Sequence, residues 1–440
     1  MLHIAPAPKF DLSLDHLPSD KSLSHRALIF ALLCQKPCFV QNLLTGQDCL
    51  STLNIAKALG LRVQKHALNT LKLTPPKQFL HFNEPTKPLN CRNSGTTMRL
   101  FSGLLASSQS QKNHYILVGD ASLSKRPMGR VITPLVQMGA HIRARAQNTL
   151  APLSILSAPL QGLHYTSPIS SAQLKSALLL ATLQAKDPLI FSEPSLSRDH
   201  SERMLKALGA KIGITPTAIN LEPLSQPLES FEWCIPADPS SAFYFALAVV
   251  LVPQSAVLLK NVLLNPTRIE AFKVLKKMGA HVEFHPRTTR IEPVGDIYVQ
   301  HRPLEAIEIK ENIPSLIDEL PALGVAMSVA QGVSVVKNAK ELRVKESDRI
   351  ATTLANLTKM GIECVGFEDG FQIKGGTLKR PKEPLESFND HRIALSFAIA
   401  LLACGGSLKN SACMAISFPT FKEILGRITP IKDTHASENG

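Results

Sequence analysis

KALGLRV, residues 57–63, is the first copy of a phrase that recurs along the chain. In each copy a helical pattern runs into a glycine, and a strand-like pattern follows. A glycine in this setting is typical of a left-handed residue that ends a helix. The copies are KALGLRV (57–63), VQMGAHI (136–142), KALGAKI (206–212), KKMGAHV (276–282), TKMGIEC (358–364) and, more weakly, EILGRIT (423–429). Their glycines lie 65 to 82 residues apart, which predicts six similar units, each closing a helix at its glycine.

A second series of segments runs in step with the first. Its members are apolar on most sides, so each is predicted to be a buried helix rather than a surface helix. They are residues 21–33, 94–106, 171–185, 240–250, 318–330 and 390–404. We therefore predict an α/β (α+β) fold of two similar domains. Each domain has three repeats, and its buried parallel helices are covered by sheet.

Length and composition narrow the class of protein. A chain of 440 residues with 44% hydrophobic content is long enough for two cores. No apolar run is long enough to cross a bilayer, and the first residues do not resemble a signal peptide, so we expect a cytoplasmic protein. The eight cysteines show no metal-ligand spacing, so we expect reduced thiols and no metal site.

The charge balance indicates anionic partners. Lys and Arg exceed Asp and Glu by 48 − 35 = 13, which suits nucleic acid, a membrane surface or phosphorylated metabolites. Only four Tyr and one Trp are present, and no long basic tract occurs. Discrete anion pockets are therefore favoured over a continuous nucleic-acid track.

Several predicted helices begin with cations, which is the unfavourable end for positive charge. In SDKSLSHRALIFALL (19–33), Lys21, His25 and Arg26 stand at the start of a nearly apolar helix, and NDHRIAL (389–395) repeats the pattern. If the helix starts face one cleft, their N–H groups attract anions before any side chain is counted. The alternative, which the sequence leaves open, is ordinary capped helices that point in unrelated directions.

Other candidate residues allow a structural reading beside a functional one. The turn at Gly95 in NSGTTMRL (93–100) lets an anion approach the backbone, although it is also a good helix cap. Arg198 could bind a ligand or form an i,i+4 surface pair with Glu202. Asp318 could be catalytic or could complement a helix dipole, and ELRVKESDRI (341–350) could be a site or a solvated face.

Taken together, seven motifs resemble one family, the 3-phosphoshikimate 1-carboxyvinyltransferases or EPSP synthases. They occur in the family's order: DKSLSHRAL (20–28), NSGTTMRL (93–100), SLSKRPM (122–128), SAQLKSALLL (171–180), IDELPAL (317–323), ELRVKESDRI (341–350) and NDHRIAL (389–395). The resemblance implies two domains of three βαβαββ repeats each, the inside-out barrel of the enolpyruvyl transferase fold. It places residues 21–235 in an N-terminal domain, and residues 1–20 and 236–440 in a C-terminal domain.

The resemblance also implies a reaction between two small molecules, with closure of the domains on substrate and no cofactor. The enolpyruvyl group of phosphoenolpyruvate passes to the 5-hydroxyl of shikimate 3-phosphate, and phosphate leaves through a tetrahedral intermediate. By motif, the shikimate 3-phosphate contacts are Lys21, Ser22, Arg26, Ser170, Ser171, Gln173, Arg198, Asp318 and Lys345. The phosphoenolpyruvate contacts are Lys21, Gly95, Arg126, Gln173, Arg349 and Arg392, and the catalytic residues are Asp318, Glu346 and Lys21.

Some features depart from the common pattern of the family. No Lys precedes the final FP motif in AISFPTF (415–421), which some members have. RDHSE (198–202), SAQLK (171–175) and NPTRI (265–269) resemble the class II subgroup, although SDK replaces its usual GDK. Gly95 is associated in the family with an open phosphoenolpyruvate pocket, so the resemblance implies sensitivity to glyphosate.

Two rival functions fit parts of the same sequence. The related enolpyruvyl transferase that acts on UDP-N-acetylglucosamine shares the repeat architecture, but it uses a reactive Cys in a mobile loop, and no Cys here occupies such a loop. A non-catalytic anion- or RNA-binding protein would use the positive charge but would not need the paired carboxylates. We expect a monomer with small-molecule substrates, and neither nucleic acid nor membrane as a partner.

Overall fold

The computed structural model describes residues 1–108, 112–215, 218–287 and 289–434. The chain forms two compact units. The N-terminal unit comprises Ser19–Ile235 and Arg290–Glu292, and the C-terminal unit comprises Met1–Pro18, Pro236–Thr289 and Pro293–Gly440.

Short strands and helices alternate along the described residues. The strands are β1 (Leu2–Ile4), β2 (Asp11–Leu14), β3 (Cys38–Gln41), β4 (Arg62–Ala67), β5 (Thr70–Thr74), β6 (Leu89–Asn90), β7 (His114–Val118), β8 (His141–Ala144), β9 (Leu150–Leu156), β10 (Leu163–Thr166), β11 (Leu189–Ser192), β12 (Ile212–Ile214), β13 (Ile219–Leu221), β14 (Glu232–Cys234), β15 (Ala256–Leu263), β16 (His281–Arg287), β17 (Val294–Gln300), β18 (Glu308–Ile309), β19 (Val333–Val336), β20 (Cys364–Phe367), β21 (Gly370–Lys374), β22 (Leu385–Glu386), β23 (Gly406–Lys409) and β24 (Ile431–Asp433). The helices are α1 (Lys21–Ala31), α2 (Gln47–Ala58), α3 (Gly95–Ala106), α4 (Gly129–Gln137), α5 (Arg145–Asn148), α6 (Ala172–Thr182), α7 (His200–Ala207), α8 (Pro239–Leu251), α9 (Glu270–Lys277), α10 (Ile313–Leu316), α11 (Leu320–Met327), α12 (Arg349–Lys359), α13 (His391–Ala400) and α14 (Phe421–Gly426). Three 3₁₀ turns cover Leu123–Lys125, Lys340–Val344 and Ser411–Ile416.

The strands form six four-stranded sheets with one pairing pattern. In each sheet one outer pair of strands is parallel and the other two neighbouring pairs are antiparallel; the parallel pair is β6-β7 in β6-β7-β9-β8 and β15-β2 in β16-β17-β15-β2. Three sheets belong to each unit: β14-β3-β5-β4, β6-β7-β9-β8 and β10-β11-β13-β12 to the N-terminal unit, and β16-β17-β15-β2, β18-β19-β21-β20 and β22-β23-β1-β24 to the C-terminal unit. The predicted α/β fold of two sets of three repeats is confirmed.

Three sheets are completed by a strand from a distant part of the chain. β1 pairs with both β23 and β24, and β2 pairs with β15, so the first residues of the chain finish two sheets of the C-terminal unit. In the N-terminal unit, β14 comes last in sequence and pairs with β3. These long-range pairings tie the ends of each unit together.

The helices are of two kinds, as the sequence predicts. All thirteen residues of α8 (PSSAFYFALAVVL) are buried, because this helix has no polar face to present to water. α9 (EAFKVLKK) instead buries Phe272, Val274 and Leu275 and keeps lysines on its outer side. α1, α3, α6, α11 and α13 resemble α8 and form the interior of the units.

The repeated glycines end helices in five of the six copies. Gly60, Gly139, Gly209, Gly279 and Gly361 all have positive φ angles, between 81° and 113°. The expectation for the sixth copy was wrong: Gly426 is the last residue of α14, and it is not among the residues with positive φ. The capping residue that follows the helix, Arg427, is in the right-handed conformation, so this copy needs no left-handed glycine.

The buried helices pack closely enough to require small residues. A Cβ on Gly103 of α3 would lie 2.0 Å from the Ala177 carbonyl oxygen of α6. None of the helices in the described part of the chain has the length and apolar character that crossing a bilayer requires.

Candidate active site

The three buried helices of the N-terminal unit begin beside one another. Gln173 of α6 donates from Nε2 to Thr96 Oγ1 in the first turn of α3, at 3.0 Å. Arg26 of α1 donates to Ser176 Oγ of α6 at 2.8 Å. The first turns of α1, α3 and α6 therefore gather at one end of the bundle, where helix N–H groups and positive dipole ends favour an anion.

A side chain caps each of these three starts. Asp20 Oδ1 accepts from the Leu23 N–H of α1 at 2.7 Å, and Ser94 Oγ accepts from the Thr97 N–H of α3 at 3.1 Å. Ser171 caps α6 in the same way, with its Oγ 3.4 Å from Leu174 N. Ser171 is thus both a predicted substrate contact and a structural cap.

Lys21 does not stand alone at the start of α1. It forms a salt bridge with Asp48 of α2, and its side chain is 29% exposed. Asp48 and the cap Asp20 reduce the conflict between the Lys21 charge and the helix dipole. The pairing was not predicted from the sequence, because the two residues lie on different helices.

Arg26 is held inside the unit rather than presented freely. Its Nε donates to Ser201 Oγ at 2.8 Å, and its NH1 donates to the Ser22 carbonyl oxygen at 3.1 Å. The side chain is 3% exposed, and burial lowers the pKa of Arg26 to about 10, although Glu202 opposes the effect. In this structure the guanidinium ties α1 to α6 and α7.

His25, the third ionisable residue of this helix start, is neutral. Burial lowers its pKa to about 3, and the nearby Lys21 and Arg26 charges add to that effect. Its Nδ1 lies 2.7 Å from Thr52 Oγ1, which in turn lies 2.7 Å from Thr97 Oγ1. His25 therefore belongs to a buried polar network that joins α1, α2 and α3, and adds no positive charge.

The Gly95 turn is linked to the predicted ligands Gln173 and Arg126. Arg99, one turn into α3, donates from NH1 to Gln173 Oε1 at 2.6 Å. Arg126 donates from NH2 to Asn93 Oδ1 at 2.6 Å, two residues before Gly95. The structure thus brings these three predicted contacts for phosphoenolpyruvate into one network.

Ser170 and Arg198 occupy loops beside the same helix starts. Ser170 Oγ lies 2.8 Å from Ser195 Oγ, which fixes the loop before α6 to the loop before α7. Arg198 is partly buried, and its charge contributes to lowering the pKa of Arg26. Arg198 therefore lies close enough to Arg26 for their two charges to interact.

Arg349 is the centre of the predicted site residues in the C-terminal unit. Its Nε donates to Asp390 Oδ2 at 2.8 Å, and its NH1 lies 3.4 Å from Asp318 Oδ1. Glu346 Oε2 is 3.9 Å from Arg349 NH2. The guanidinium is 3% exposed; burial by itself would lower its pKa, but these carboxylates raise it overall.

Arg392 joins the starts of α8, α11 and α13. Its NH1 donates to Glu319 Oε1 at 3.3 Å, and its NH2 is 3.9 Å from Asp318 Oδ2. Burial raises the pKa of the Tyr244 hydroxyl of α8 to about 12, although a hydrogen bond with Arg392 opposes that rise. Arg349 and Arg392 are therefore held from two sides, with Asp318 between them.

Glu346 and Lys345 are neighbours in sequence but have different partners. Glu346 Oε2 lies 2.7 Å from Nδ1 of His391, the first residue of α13. Lys345 Nζ donates to Glu341 Oε1 at 2.8 Å. Within the described contacts, Glu346 belongs to the Arg349 cluster, whereas Lys345 is held by its own loop.

One group of side chains in this cluster has donor atoms close enough for a metal ion. Atoms of Glu346, Asp390 and His391 lie within 4.8 Å of one another. Asp390, however, already accepts hydrogen bonds from Arg349 and from Ser347 Oγ (3.0 Å). A divalent cation here would lie beside a buried guanidinium, so the arrangement is better explained as an ion-pair network.

Comparison with known proteins identifies the family. The model of the family EPSP synthase (3-phosphoshikimate 1-carboxyvinyltransferase) matches residues 13–425. The chain belongs to this family. The 3-phosphoshikimate 1-carboxyvinyltransferase of Helicobacter pylori is 55% identical over 425 residues, covering 94% of this chain and 98% of the relative. That of Helicobacter hepaticus is 49% identical over 442 residues, covering 99% of each chain.

A solved structure agrees with these sequence relatives. The EPSP synthase of Acinetobacter baumannii is 36% identical to this chain, with a TM-score of 0.87, and the match covers 98% of this chain and 99% of that one. The family resemblance recognised from the seven motifs is confirmed, and with it the enolpyruvyl transferase fold.

In this member of the EPSP synthase family, four residues contact predicted ligand-binding residues although the sequence predicted no role for them. Arg99 contacts Gln173 in the N-terminal unit, and Tyr244 contacts Arg392 in the C-terminal unit. Asp390 accepts from Arg349, and His391 contacts Glu346. The sequence positions of two of these residues indicate their contacts. Arg99 is four residues after Gly95 and shares its helix face, and Asp390 occupies the cap position of α13.

Proposed function

We propose that this protein transfers the enolpyruvyl group of phosphoenolpyruvate to the 5-hydroxyl of shikimate 3-phosphate and releases phosphate. The observation that carries the proposal is the 55% identity to the Helicobacter pylori relative over 94% of the chain. The cations and carboxylates gathered at helix starts in each unit support it, because both substrates are multiply charged anions.

The reaction requires one carbon to gain and then lose a proton. C3 of phosphoenolpyruvate is protonated while the 5-hydroxyl oxygen adds to C2 and gives up its proton. The tetrahedral intermediate then loses a proton from C3, and the C2–O bond to phosphate breaks. We assign Asp318 as the base at the 5-hydroxyl and Glu346 as the group that exchanges the C3 proton.

The surroundings of Glu346 support that assignment. His391 Nδ1, at 2.7 Å, fixes one carboxylate oxygen of Glu346. The Glu346 side chain is 28% exposed, so a ligand can reach it. His391 also offers a partner that can share the proton between the two transfers.

The cations serve as electrostatic supports for the phosphate and carboxylate groups. We assign Arg126, Arg349 and Arg392, with Gly95 and Gln173, to phosphoenolpyruvate, and Lys21 to both substrates. Arg349 and Arg392 are fixed by carboxylates before substrate arrives, so little reorganisation accompanies charge development. Arginine is suited to this task because its planar fork binds carboxylate and phosphate with two hydrogen bonds.

We assign a second set of contacts to shikimate 3-phosphate, of which Gln173 also serves phosphoenolpyruvate and Asp318 is also the base. They are Ser22, Arg26, Ser170, Ser171, Gln173, Arg198, Asp318 and Lys345. The gathered starts of α1, α3 and α6 support a phosphate site in the N-terminal unit. No cofactor takes part, and in this proposal the protein acts as a cytoplasmic monomer, which light scattering would test against a mass of 47.9 kDa.

One assay tests the function against its rivals. The purified protein is incubated with phosphoenolpyruvate and either shikimate 3-phosphate or UDP-N-acetylglucosamine, and released phosphate is measured. We expect turnover with shikimate 3-phosphate only. Turnover with the nucleotide sugar instead, or no turnover with either together with tight salt-sensitive RNA binding, would contradict the proposal.

A further inference from the structure

Two buried serines hold the guanidinium of Arg26. Nε of Arg26 donates to Ser201 Oγ at 2.8 Å, and NH2 donates to Ser176 Oγ at 2.8 Å. The two hydroxyl oxygens lie 2.7 Å apart and share a hydrogen bond of their own. Ser176 belongs to α6 and Ser201 to α7, and both are fully buried. The guanidinium and the two hydroxyls therefore form a closed ring of hydrogen bonds between α1, α6 and α7.

The hydrogen-bond acceptors of Arg26 carry no formal charge. Its third bond runs from NH1 to the Ser22 carbonyl oxygen at 3.1 Å, so in the described part of the chain it donates to two hydroxyls and one carbonyl. Arg349 and Arg392 differ, because both donate to carboxylates. Neutral acceptors fix the plane of a guanidinium without neutralising its charge, so Arg26 keeps its attraction for an anion.

An ion pair fixes the helices that carry the two serines. Lys175 precedes Ser176, Glu202 follows Ser201, and Lys175 Nζ lies 2.7 Å from Glu202 Oε1. Lys175 Nζ also donates to Glu193 Oε1 at 2.7 Å. Lys175 and Glu202 are 0% and 1% exposed, and parting the helices would leave their charges buried alone. Adjacent residues of α6 thus meet adjacent residues of α7 twice, once by charge and once by hydroxyl groups.

These contacts involve two sequence motifs that the proposed function uses only in part. SAQLK (171–175) ends at Lys175, and RDHSE (198–202) ends at Ser201 and Glu202. None of these three residues is assigned to a substrate. Their contacts place them behind Arg26, which is assigned to one.

We infer that Ser176 and Ser201 are positioning residues that set the affinity for shikimate 3-phosphate by fixing the orientation of Arg26. The inference rests on the proposed function, in which Arg26 is assigned to shikimate 3-phosphate alone. Without the serines the guanidinium would sample several orientations, and ordering it would oppose binding.

Calorimetric titration of the full-length protein with shikimate 3-phosphate alone tests the inference. Wild type, Ser201→Ala, Arg26→Met and the double variant form a double-mutant cycle. We expect Ser201→Ala to raise the Kd about tenfold, near the lower end of the range for a hydrogen bond to a charged group. In the Arg26→Met background the same substitution should change the Kd less than about twofold, because no guanidinium is left to orient.

Two further variants separate positioning from packing. Ser201→Cys nearly fills the space of the serine, but a thiol is a weak acceptor, so its Kd should resemble that of Ser201→Ala. Thr182→Val is the matched control on α6, because Thr182 is buried and its hydroxyl donates to the Leu178 carbonyl oxygen of the same helix at 2.9 Å. Its Kd should equal that of wild type. Thermal unfolding checks that each variant is folded, and the Ser201 variants decide the test if Arg26→Met is not.

The outcomes distinguish the inference from the function on which it rests. A wild type that neither binds shikimate 3-phosphate nor turns it over would refute both. In an active enzyme, a wild-type Kd for Ser201→Ala or for Ser201→Cys would refute the inference alone. So would a Ser201→Ala effect that persists in full without Arg26, or an equal loss of affinity in Thr182→Val.

Discussion

Single residues in this protein owe their charge state to neighbours far away in sequence. His25 is the clearest case: it lies between two cations at a helix start, yet burial keeps it neutral with a pKa of about 3. Arg349 shows the opposite outcome, because carboxylates from three segments keep a buried guanidinium charged. In both cases the local environment, rather than the residue type, sets the chemistry.

The neutral state of His25 predicts acid destabilisation. Its pKa of about 3 in the folded protein lies below its ordinary value of 6.5, so the unfolded chain takes up the proton first. The contribution of His25 to the free energy of unfolding is fully present above pH 6.5. It falls by about 1.4 kcal/mol per pH unit as the pH drops from there toward 3. Urea unfolding between pH 7 and 4 should show this slope, and His25→Gln should reduce it.

The exposed His164 provides the matched control for this measurement. His164→Gln should leave the slope of the wild type unchanged. Equal slopes for wild type and His25→Gln would show that His25 does not govern the acid response.

Asp318 carries a second prediction at this scale. Asp318→Asn keeps the shape and an oxygen that can accept from Arg349 NH1, now 3.4 Å away, but removes the base. We expect kcat to fall about a thousandfold, within the range for loss of a general base, while shikimate 3-phosphate affinity changes little. Phosphate-release kinetics and calorimetry would measure the two effects.

The control for Asp318 is a carboxylate outside the cluster. Glu363 forms an exposed pair with Lys374, and Glu363→Gln should retain wild-type kcat. An Asp318→Asn enzyme with kcat near that of wild type would remove Asp318 from the mechanism.

At the scale of elements, the repeated helix–glycine–strand phrase encodes a backbone conformation in some copies and not in others. Gly139 has φ +96° and no atom within 4 Å of a Cβ position, so only backbone strain opposes a side chain there. Gly426 ends α14 with ordinary φ and has neighbours no closer than 3.9 Å. The same sequence pattern thus has two structural meanings.

These two glycines predict opposite responses to alanine. Gly139→Ala should lower the free energy of unfolding by about 1 kcal/mol, because alanine resists positive φ. Gly426→Ala should be neutral or raise it by up to about 1 kcal/mol, because alanine favours helix and restricts the unfolded chain. Denaturant titrations of both variants would test this. Equal destabilisation would mean that φ is not the cause.

For the whole molecule, chain order and spatial order differ. β1 and β2 complete sheets whose other strands lie hundreds of residues later, and β14 closes the first sheet of the N-terminal unit. Each unit also has its own cluster of candidate ligands, around Lys21 and Gln173 in one and around Arg349 and Arg392 in the other. In the proposed function, the N-terminal cluster supplies most of the shikimate 3-phosphate contacts, and the C-terminal cluster supplies the carboxylates Asp318 and Glu346 together with the phosphoenolpyruvate contacts Arg349 and Arg392.

This distribution of contacts predicts that the two substrates protect backbone amides from hydrogen exchange in two steps. Shikimate 3-phosphate alone should slow amide exchange at the starts of α1 and α6, because its proposed contacts lie mainly in the N-terminal unit. The starts of α12 and α13 should gain protection only when phosphoenolpyruvate or an analogue is added. Hydrogen-exchange mass spectrometry of the four states would measure both. Full protection of α13 by shikimate 3-phosphate alone would contradict the assignment.

Much of the fold could be predicted from patterns in contiguous stretches of sequence. The six helix–glycine–strand phrases, the six apolar helices and the seven ordered motifs are contiguous features, and each depends on residues within one or two turns of each other. Periodicity and capping chemistry act over that distance, so they were readable in the sequence. The prediction for the sixth glycine was wrong because the pattern does not distinguish a helix that ends before its glycine, as α2 does, from one that includes the glycine, as α14 does.

What the sequence determined by itself is therefore the repeat, the two kinds of helix and the family. Only the tertiary structure decided which side chains meet: Arg99 with Gln173 from 74 positions away, Arg349 with Asp390 from 41, and Lys21 with Asp48 on the next helix. It also decided that His25 is uncharged. The physical reason is that hydrogen bonds, ion pairs and desolvation act over a few ångströms of space, and packing alone sets which residues lie within that distance.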